Sequence, residues 1–306
     1  MTLRKITIGV AFQSPFYAPL FVAQRLGALR AEGLEATIVV PPPGGTVDLL
    51  EKGQAPLVLS GVMRSFVLAD HGGQSLVAIA EVNSRDGFFI VSRTPVPNFA
   101  WRDLEGATLA LFGLAPTPWM CLQTALREQG GDPTKVRVLS GLDPAEGIEA
   151  LKTGRADFLQ TGQPTTAELV RDRVAHLAAP QAPIVGHVPY SSFLVTDETR
   201  RRDPELCAAA VRALTRALRW MAGHDGATIA ALIAPEFPDT RADTLAAAVD
   251  ALKDVGVWSD GPRQDREAFD RLGRMLVAGG LIRTAAKYDV LVDDSFAEAA
   301  VSAVGE

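Results

Sequence analysis

The sequence contains one pattern twice, about a hundred positions apart. Each copy reads as a strand, a helix, a second strand, a short helix, a glycine turn and a third strand. The first copy begins with the apolar segment 6–12 and reaches its third strand at Leu57, and the second begins at 107–113 and reaches Phe158. Two similar α/β halves predict two lobes with a cleft between them, where small ligands bind. Two copies are too few for a repeat array.

The composition agrees with two lobes of a globular protein. A chain of 306 residues is long for one hydrophobic core and sufficient for two. Its hydrophobic content of 47% and charged content of 22% are ordinary for globular proteins. The net charge of -6, without a stripe of lysine or arginine, argues against nucleic acid as a partner.

The sequence leaves two cellular locations open. No apolar run reaches the roughly 20 residues that span a bilayer. Residues 1–5 lead directly into the first predicted strand, without the apolar segment of a secretory signal. The protein is expected to be periplasmic if a signal peptide has been removed, and cytoplasmic if this is the native start.

The cysteines and histidines predict no metal site and no cofactor. Cys121 and Cys207 lie in apolar, helix-like surroundings, which favours two buried free thiols over a disulfide. The four histidines lack the spacing of zinc ligands.

Two segments are predicted to cross between the lobes as hinges, at 88–91 and 190–195. The first lobe would then be discontinuous, with residues 1–87 and 194–306, and the second lobe would comprise residues 88–193. The C-terminal third is predicted to be helical. A helix is expected to begin at Pro204 and to bury an apolar stripe with a 3.6-residue period. That stripe is Leu206, Ala210, Leu214, Leu218 and Met221.

The carboxyl ends of the predicted parallel strands select the candidate ligand-binding residues, because loops and helix N-termini converge there. The set combines aromatic rings with neutral hydrogen-bonding groups and few charges, which favours a flat or apolar ligand oriented by hydrogen bonds. The candidates are Ser14, Phe16, Tyr17, Thr46, Ser60, Gly61, Arg64, Thr117, Trp119, Gln160 and Gln163.

Several of these candidates have a second, purely structural interpretation. Ser14, Thr46 and Thr117 precede helix-like segments, so they are either N-caps or ligand contacts, or both. Tyr17 and Trp119 occupy similar places in the two copies, and each is either a core residue or a stacking platform.

Two arginines also have two interpretations. Arg64 and Arg85 are candidate clamps for a carboxylate or sulfonate, or solvated surface residues.

Four segments, in order along nearly the whole chain, resemble a known family. Residues 16–35 resemble the opening of the substrate-binding proteins of nitrate, sulfonate, taurine and thiamine-pyrimidine transporters, the SsuA/THI5-like (NMT1-like) group. Residues 103–110 resemble the start of the second lobe in that family, and 150–157 resemble its segment ending in Gly-x-x-Asp. Residues 190–206 resemble its return strand and the helix that follows.

The resemblance implies an α/β protein with the type II periplasmic-binding-protein fold, in which two lobes are joined by two hinge crossings. A monomer of this kind traps a small ligand by hinge closure and delivers it to an ABC permease. The family's ligand loops fall on Ser14, Phe16, Tyr17, Thr46, Ser60, Gly61, Thr117, Trp119, Gln160 and Gln163.

Enzymes with the same fold provide the alternative function. Pyrimidine synthases carry a cysteine-rich CCCFC segment, which is absent here, and aromatic sulfinate desulfinases use a cysteine in the first-lobe loop, where residues 13–15 contain none. Cys121, at a helix start, is the candidate substitute. The sequence thus predicts capture of a sulfonate, carboxylate or pyrimidine-like molecule for ABC-type uptake. The alternatives are a cytoplasmic enzyme acting on a small aromatic substrate and a cytoplasmic sensor.

Overall fold

The computed structural model describes residues 3–305, which form two five-stranded sheets covered by helices. The strands are β1 (Arg4–Val10), β2 (Leu34–Val39), β3 (Leu57–Gly61), β4 (Leu76–Arg85), β5 (Phe89–Ser92), β6 (Thr108–Ala110), β7 (Arg137–Leu139), β8 (Phe158–Thr161), β9 (His176–Pro180) and β10 (His187–Thr196).

Fifteen α-helices are present among the described residues, and none of them is both long and apolar enough to cross a membrane. They are α1 (Ala18–Arg25), α2 (Ala28–Ala31), α3 (Thr46–Glu51), α4 (Met63–Asp70), α5 (Thr117–Glu128), α6 (Pro144–Lys152), α7 (Thr165–Arg171), α8 (Ala182–Val185), α9 (Asp197–Arg202), α10 (Pro204–Ala222), α11 (Gly226–Ile233), α12 (Ala242–Asp254), α13 (Arg266–Ala278), α14 (Tyr288–Leu291) and α15 (Ser295–Val304). Short 3-10 turns occur at Pro15–Tyr17, Trp101–Leu104, Pro133–Lys135 and Ala234–Glu236.

The two sheets have the same topology, which confirms the predicted duplicated α/β architecture. The first has the order β2-β1-β3-β10-β4 and the second has the order β7-β6-β8-β5-β9. In each sheet the first three strands are parallel and the fourth is antiparallel to both of its neighbours. The antiparallel strand of each sheet is the one that follows a crossing from the other sheet. The second sheet therefore contains β5, which follows β4 of the first sheet, and the first sheet contains β10, which follows β9 of the second.

The crossings lie at residues 86–88, between β4 and β5, and at residues 181–186, between β9 and β10. Strand β10 pairs with β3 and β4 over its length, so the predicted hinge segment 190–195 lies inside the first sheet. The predicted lobe boundary at residue 193 falls within this strand. The division into lobes stays a prediction, and a boundary within 181–186 would keep the strand intact.

Apolar residues on both faces of the strands explain why both sheets are buried. Ile90, Leu109 and Phe158 pack on one face of the second sheet, and their sequence neighbours pack on the other. This is the pattern of parallel strands covered by helices on both sides.

Helix α10 begins and packs as the sequence predicts. The Asp203 side chain accepts a hydrogen bond from the Leu206 backbone at its N-terminus, and the five residues of the predicted apolar stripe are all buried. Helix α10 is therefore part of the hydrophobic core beside the first sheet.

Candidate functional site

Two adjoining cavities lie where loops from the carboxyl ends of strands in both sheets converge. The outer chamber has a volume of about 330 Å³ and the inner chamber about 30 Å³. The residues Ala11, Phe12, Phe16, Phe88 and Leu114 line both chambers. The chambers are therefore parts of one cleft, with walls from the first sheet, the first crossing and the second sheet.

Aromatic rings form the wall shared by the two chambers. The rings of Phe88 and Phe112 lie 4.6 Å apart between centroids, and Phe112 lies 5.5 Å from Phe12. Phe16 packs against Phe88 at 6.3 Å and against Tyr190 at 5.9 Å. These separations are those of favourable aromatic pairs, so the rings form a firm apolar surface against which a flat ligand would stack.

The inner chamber is lined by neutral hydroxyl groups and one cation. The hydroxyls of Thr46 and Ser60 lie 3.1 Å apart, and both residues are buried. Tyr17 and Thr117 also line this chamber and are buried. Burial raises the pKa of the Tyr17 hydroxyl, so it is a neutral hydrogen-bonding group at physiological pH.

Arg64 supplies the charge of the inner chamber. Its side chain is half-buried on α4, and burial lowers the pKa of the guanidinium while the Tyr17 hydroxyl acts in the opposite direction. Within residues 3–305 no carboxylate forms a salt bridge with it. A guanidinium remains protonated in such surroundings and pairs with planar anions. This end of the cleft is therefore suited to an anionic group.

The structure brings most of the predicted site residues together. Those that line the outer or the inner chamber are Ser14, Phe16, Tyr17, Thr46, Ser60, Gly61, Arg64, Thr117 and Gln163. Their contact with a ligand stays a prediction.

Trp119 and Gln160 do not line either chamber. Trp119 lies on α5 and lines a neighbouring cavity with Met120 and Val138, which shares Phe112 and Leu114 with the cleft. Gln160 is buried at the end of β8, where its amide nitrogen donates to the Gln181 side-chain oxygen at 2.7 Å. Tyr17 and Trp119 occupy similar places in the two sequence copies but not in the structure, because Tyr17 lies in a 3-10 turn and Trp119 lies in the first turn of an α-helix.

The N-cap interpretation is right for Ser14 and wrong for the two threonines. The Ser14 hydroxyl accepts a hydrogen bond from the Phe16 backbone at 3.1 Å. Thr46 and Thr117 are instead the first residues of α3 and α5, after the cap positions Gly45 and Pro116, and neither helix has a side-chain cap.

A hydrogen bond joins the two sides of the cleft. The Ser14 hydroxyl, after β1, donates to the Gln163 backbone carbonyl, after β8, at 2.6 Å. Both residues are buried. The cleft is thus closed at this point, and opening it would break a buried hydrogen bond.

Arg85 lies outside the cleft, on a larger cavity of about 600 Å³ beside the edge strand β4. Most charged groups there already have protein partners: Arg219 donates to the Val301 and Gly305 carbonyls, and Arg263 lies 3.2 Å from Glu298. This cavity is therefore a weaker candidate than the cleft, and the clamp role predicted for Arg85 has no support from its position.

Both cysteines are free and buried, as predicted. Cys121 is fully buried on α5 and lines neither chamber. Burial raises the pKa of its thiol well above the usual value, with a further contribution from Asp86, so the reactive thiolate is disfavoured. Burial likewise raises the pKa of Cys207 to about 12. Cys121 is thus not available as the nucleophile of the enzyme alternative.

The sequence reasoning missed several residues of the cleft. Phe12 ends the first predicted strand, and Phe88 and Tyr190 lie in the segments predicted as hinges. A signal was available for the last two, because residues beside a hinge line the floor of the cleft that the hinge closes.

Comparison with known proteins finds relatives over nearly the whole chain. The model of the NMT1/THI5-like family matches residues 14–227. YtlA of Bacillus subtilis (strain 168), provisionally named a binding protein, is 24% identical over 304 residues, which cover 98% of this chain and 91% of YtlA.

Solved structures show the same fold. The periplasmic aliphatic sulphonate binding protein SsuA of Escherichia coli is 15% identical with a TM-score of 0.75, and 95% of this chain and 92% of SsuA are covered. The desulfurization enzyme DszB in complex with biphenyl-2-sulfinic acid is 16% identical with a TM-score of 0.71, and 98% and 99% are covered. The predicted periplasmic-binding-protein fold is confirmed. Because the family model matches most of its length, the chain belongs to the NMT1/THI5-like family.

Proposed function

We propose that this protein is a solute-binding protein that captures a small organic anion, a sulfonate or carboxylate, in the cleft between its two lobes. The observation that carries this proposal is the half-buried Arg64, which has no carboxylate partner among the described residues and lies at the polar end of a cleft walled by aromatic rings. The anionic group would pair with Arg64 and accept hydrogen bonds from the neighbouring hydroxyls. The apolar part of the ligand would lie against Phe12, Phe16 and Phe112.

Closure of the lobes completes the site in this proposal. Ser14 comes from the first lobe and Gln163 from the second, and their hydrogen bond holds the two edges of the cleft together. Hinge rotation at the crossings would open this contact and admit the ligand.

The names of two similar proteins support a role in solute uptake. YtlA is provisionally named a binding protein, and the structurally similar E. coli SsuA is named a periplasmic sulphonate binding protein. We place this protein outside the cytoplasmic membrane, as a monomer that delivers its ligand to an ABC permease. Genes for a permease and an ATPase beside its own would support this role, whereas a catabolic operon without them would favour chemistry.

The first experiment is a thermal-shift screen with methanesulfonate, benzenesulfonate, benzoate and an aminopyrimidine, since a selective ligand stabilises the folded state by mass action. The best anion is then titrated by calorimetry against Arg64→Gln and Arg64→Lys. Loss of a charge-assisted hydrogen bond costs about 1.5–3 kcal/mol, so Arg64→Gln should weaken binding roughly tenfold to a hundredfold. The affinity of Arg64→Lys should lie between those of the wild type and Arg64→Gln, because lysine keeps the charge and lacks the planar guanidinium group.

Arg85→Gln is the matched control, since it removes the same charge outside the cleft. Equal affinity of the Arg64→Gln variant and the wild type would refute the anion site. If only the aminopyrimidine binds selectively, the ligand is a neutral ring and not an anion.

A further inference from the structure

A buried carboxylate ties the two crossings together. Asp86 is fully buried in the first crossing, where one of its oxygens accepts the Phe88 backbone N–H at 2.7 Å. Its other oxygen accepts the side-chain N–H of Gln181, in the second crossing, at 3.0 Å. The Gln181 backbone N–H donates in turn to the Phe88 carbonyl at 2.9 Å. The crossings are thus bound to each other through this acid and through the Phe88 carbonyl.

The same hydrogen bonds continue to the aromatic wall of the cleft. The Gln181 side-chain oxygen accepts from Gln160 at 2.7 Å, and the Gln160 oxygen accepts from the Phe112 backbone N–H at 3.4 Å. Phe88 at one end and Phe112 at the other are the closest pair of rings in that wall. Asp86 is therefore one end of a buried chain of polar groups that positions both rings.

The groups around Asp86 leave its charge without a counterion. Tyr190 of β10 and Cys121 of α5 are the titratable groups that face it, with Tyr17 beyond Tyr190 and Arg271 of α13 acting on Cys121. Within the part of the chain that the structure describes, no arginine, lysine or histidine forms a salt bridge with Asp86. Burial raises the pKa of Asp86 to about 7, although its hydrogen bonds act in the opposite direction. Desolvation without a counterion disfavours the ionised form.

We propose that Asp86 is a positioning residue that takes up a proton as the lobes close, so that closure of the cleft is favoured at acid pH. The proposal rests on the opening and closing of the proposed function. Tyr190 belongs to the first sheet, and Cys121 lies on α5, which packs on the second sheet through Leu122 and Leu126. We expect rotation of one lobe to draw apart the groups that exclude water from Asp86. The hydrated acid of the open form ionises readily, and the buried acid of the closed form holds its proton.

The test is the radius of gyration of the full chain, measured by small-angle X-ray scattering without ligand from about pH 5.5 to about pH 8.5. One linked proton changes the ratio of open to closed molecules by at most about tenfold per pH unit. The wild type should therefore expand as the pH rises. Asp86→Asn is neutral throughout and should stay as compact as the wild type at acid pH. The control is Asp239→Asn, which removes an exposed acid and should behave as the wild type.

A wild-type radius that does not change with pH would overturn the proposal, as would the same expansion in Asp86→Asn. If Asp86→Asn does not fold, carbon-13 NMR of the wild-type aspartate carboxyls provides the second measurement. A carboxyl that titrates near neutral pH together with the expansion supports the proposal, and its absence refutes it. No ligand is used, so failure here would leave the proposed anion site intact.

Discussion

Gly87 is the residue whose size most directly limits the shape of the cleft. A Cβ atom at this position would lie 2.3 Å from Cδ2 and 2.4 Å from Cε2 of the Phe16 ring. Phe16 is itself buried between Phe88 and Tyr190, so its ring has little room to move. Only glycine allows the first crossing to pass this close to the ring.

Gly87→Ala should therefore destabilise the protein and displace Phe16 toward the chambers. Overpacking of this kind costs about 1–3 kcal/mol. Urea unfolding measures the loss, and calorimetry with the ligand found in the screen measures the weaker binding. Gly261→Ala is the control, because no atom of the described residues, other than its own chain neighbours, lies within 4 Å of the Cβ it would add. Equal stability of the Gly87→Ala and Gly261→Ala variants would contradict the steric argument.

The sequence predicted the kinds of side chain in the cleft better than it predicted which individual residues line it. Loops after parallel strands had to converge, and this placed Ser14, Thr46 and Ser60 in one cleft. The direction that Trp119 faces depends on how α5 packs between the second sheet and α13. A few neighbouring residues in the sequence do not determine that packing. Arg85 and Arg64 look alike in sequence, and only the fold separates them.

The 3-10 turn Pro15–Tyr17 is the element that carries two aromatic side chains into the cleft. Its Phe16 carbonyl accepts two hydrogen bonds: Asn83 of β4 donates at 2.8 Å, and the indole of Trp258, which pairs with Asn83, donates at 3.0 Å. These donors hold the turn against the sheet, because a carbonyl that is buried without a partner is costly.

Trp258→Phe removes one of these donors and keeps an aromatic ring. We expect the free energy of unfolding to fall by about 0.5–1.5 kcal/mol, the usual net contribution of one hydrogen bond, since Asn83 still serves the carbonyl. Binding should weaken as well, because the turn is less firmly held. Trp119→Phe makes the same chemical change outside the cleft and should leave binding as in the wild type. A loss of binding in both variants would mean that the turn is not the cause.

At the scale of elements, local patterns identified what is locally determined. The apolar stripe of α10 and the first strands of both copies depend on periodicity and on turn residues within the segment itself. The membership of β10 in the first sheet depends on pairing with β3 and β4, which lie more than a hundred residues earlier. A sequence pattern marks such a segment as a strand without showing which sheet it joins.

The whole molecule is two similar halves, each completed by a strand from beyond a crossing, and the crossings meet at Asp86. The duplicated pattern was sufficient to predict two similar halves, since both copies had to fold alike, but it did not predict which strand completes each sheet. The buried acid at the junction was not predictable, because its burial is produced by the assembly of both halves around it. The stability of the whole chain should therefore depend on the ionisation of this one group.

The direction of that dependence follows from the pKa. Asp86 has a pKa of about 7 in the folded protein, and an aspartate in an unfolded chain has one of about 3.9. Between these values the folded state holds a proton that the unfolded state has lost, so the contribution of Asp86 to stability is present at acid pH and is lost as the pH rises toward 7. The difference of about three units between these two pKa values corresponds to at most about 4 kcal/mol of unfolding free energy.

Asp86→Asn removes this titration. The stability of the variant relative to the wild type should therefore rise from about pH 5 to about pH 8. Urea unfolding of both proteins at the two pH values measures this shift, and a difference that stays constant would show that Asp86 is ionised in the folded protein at both.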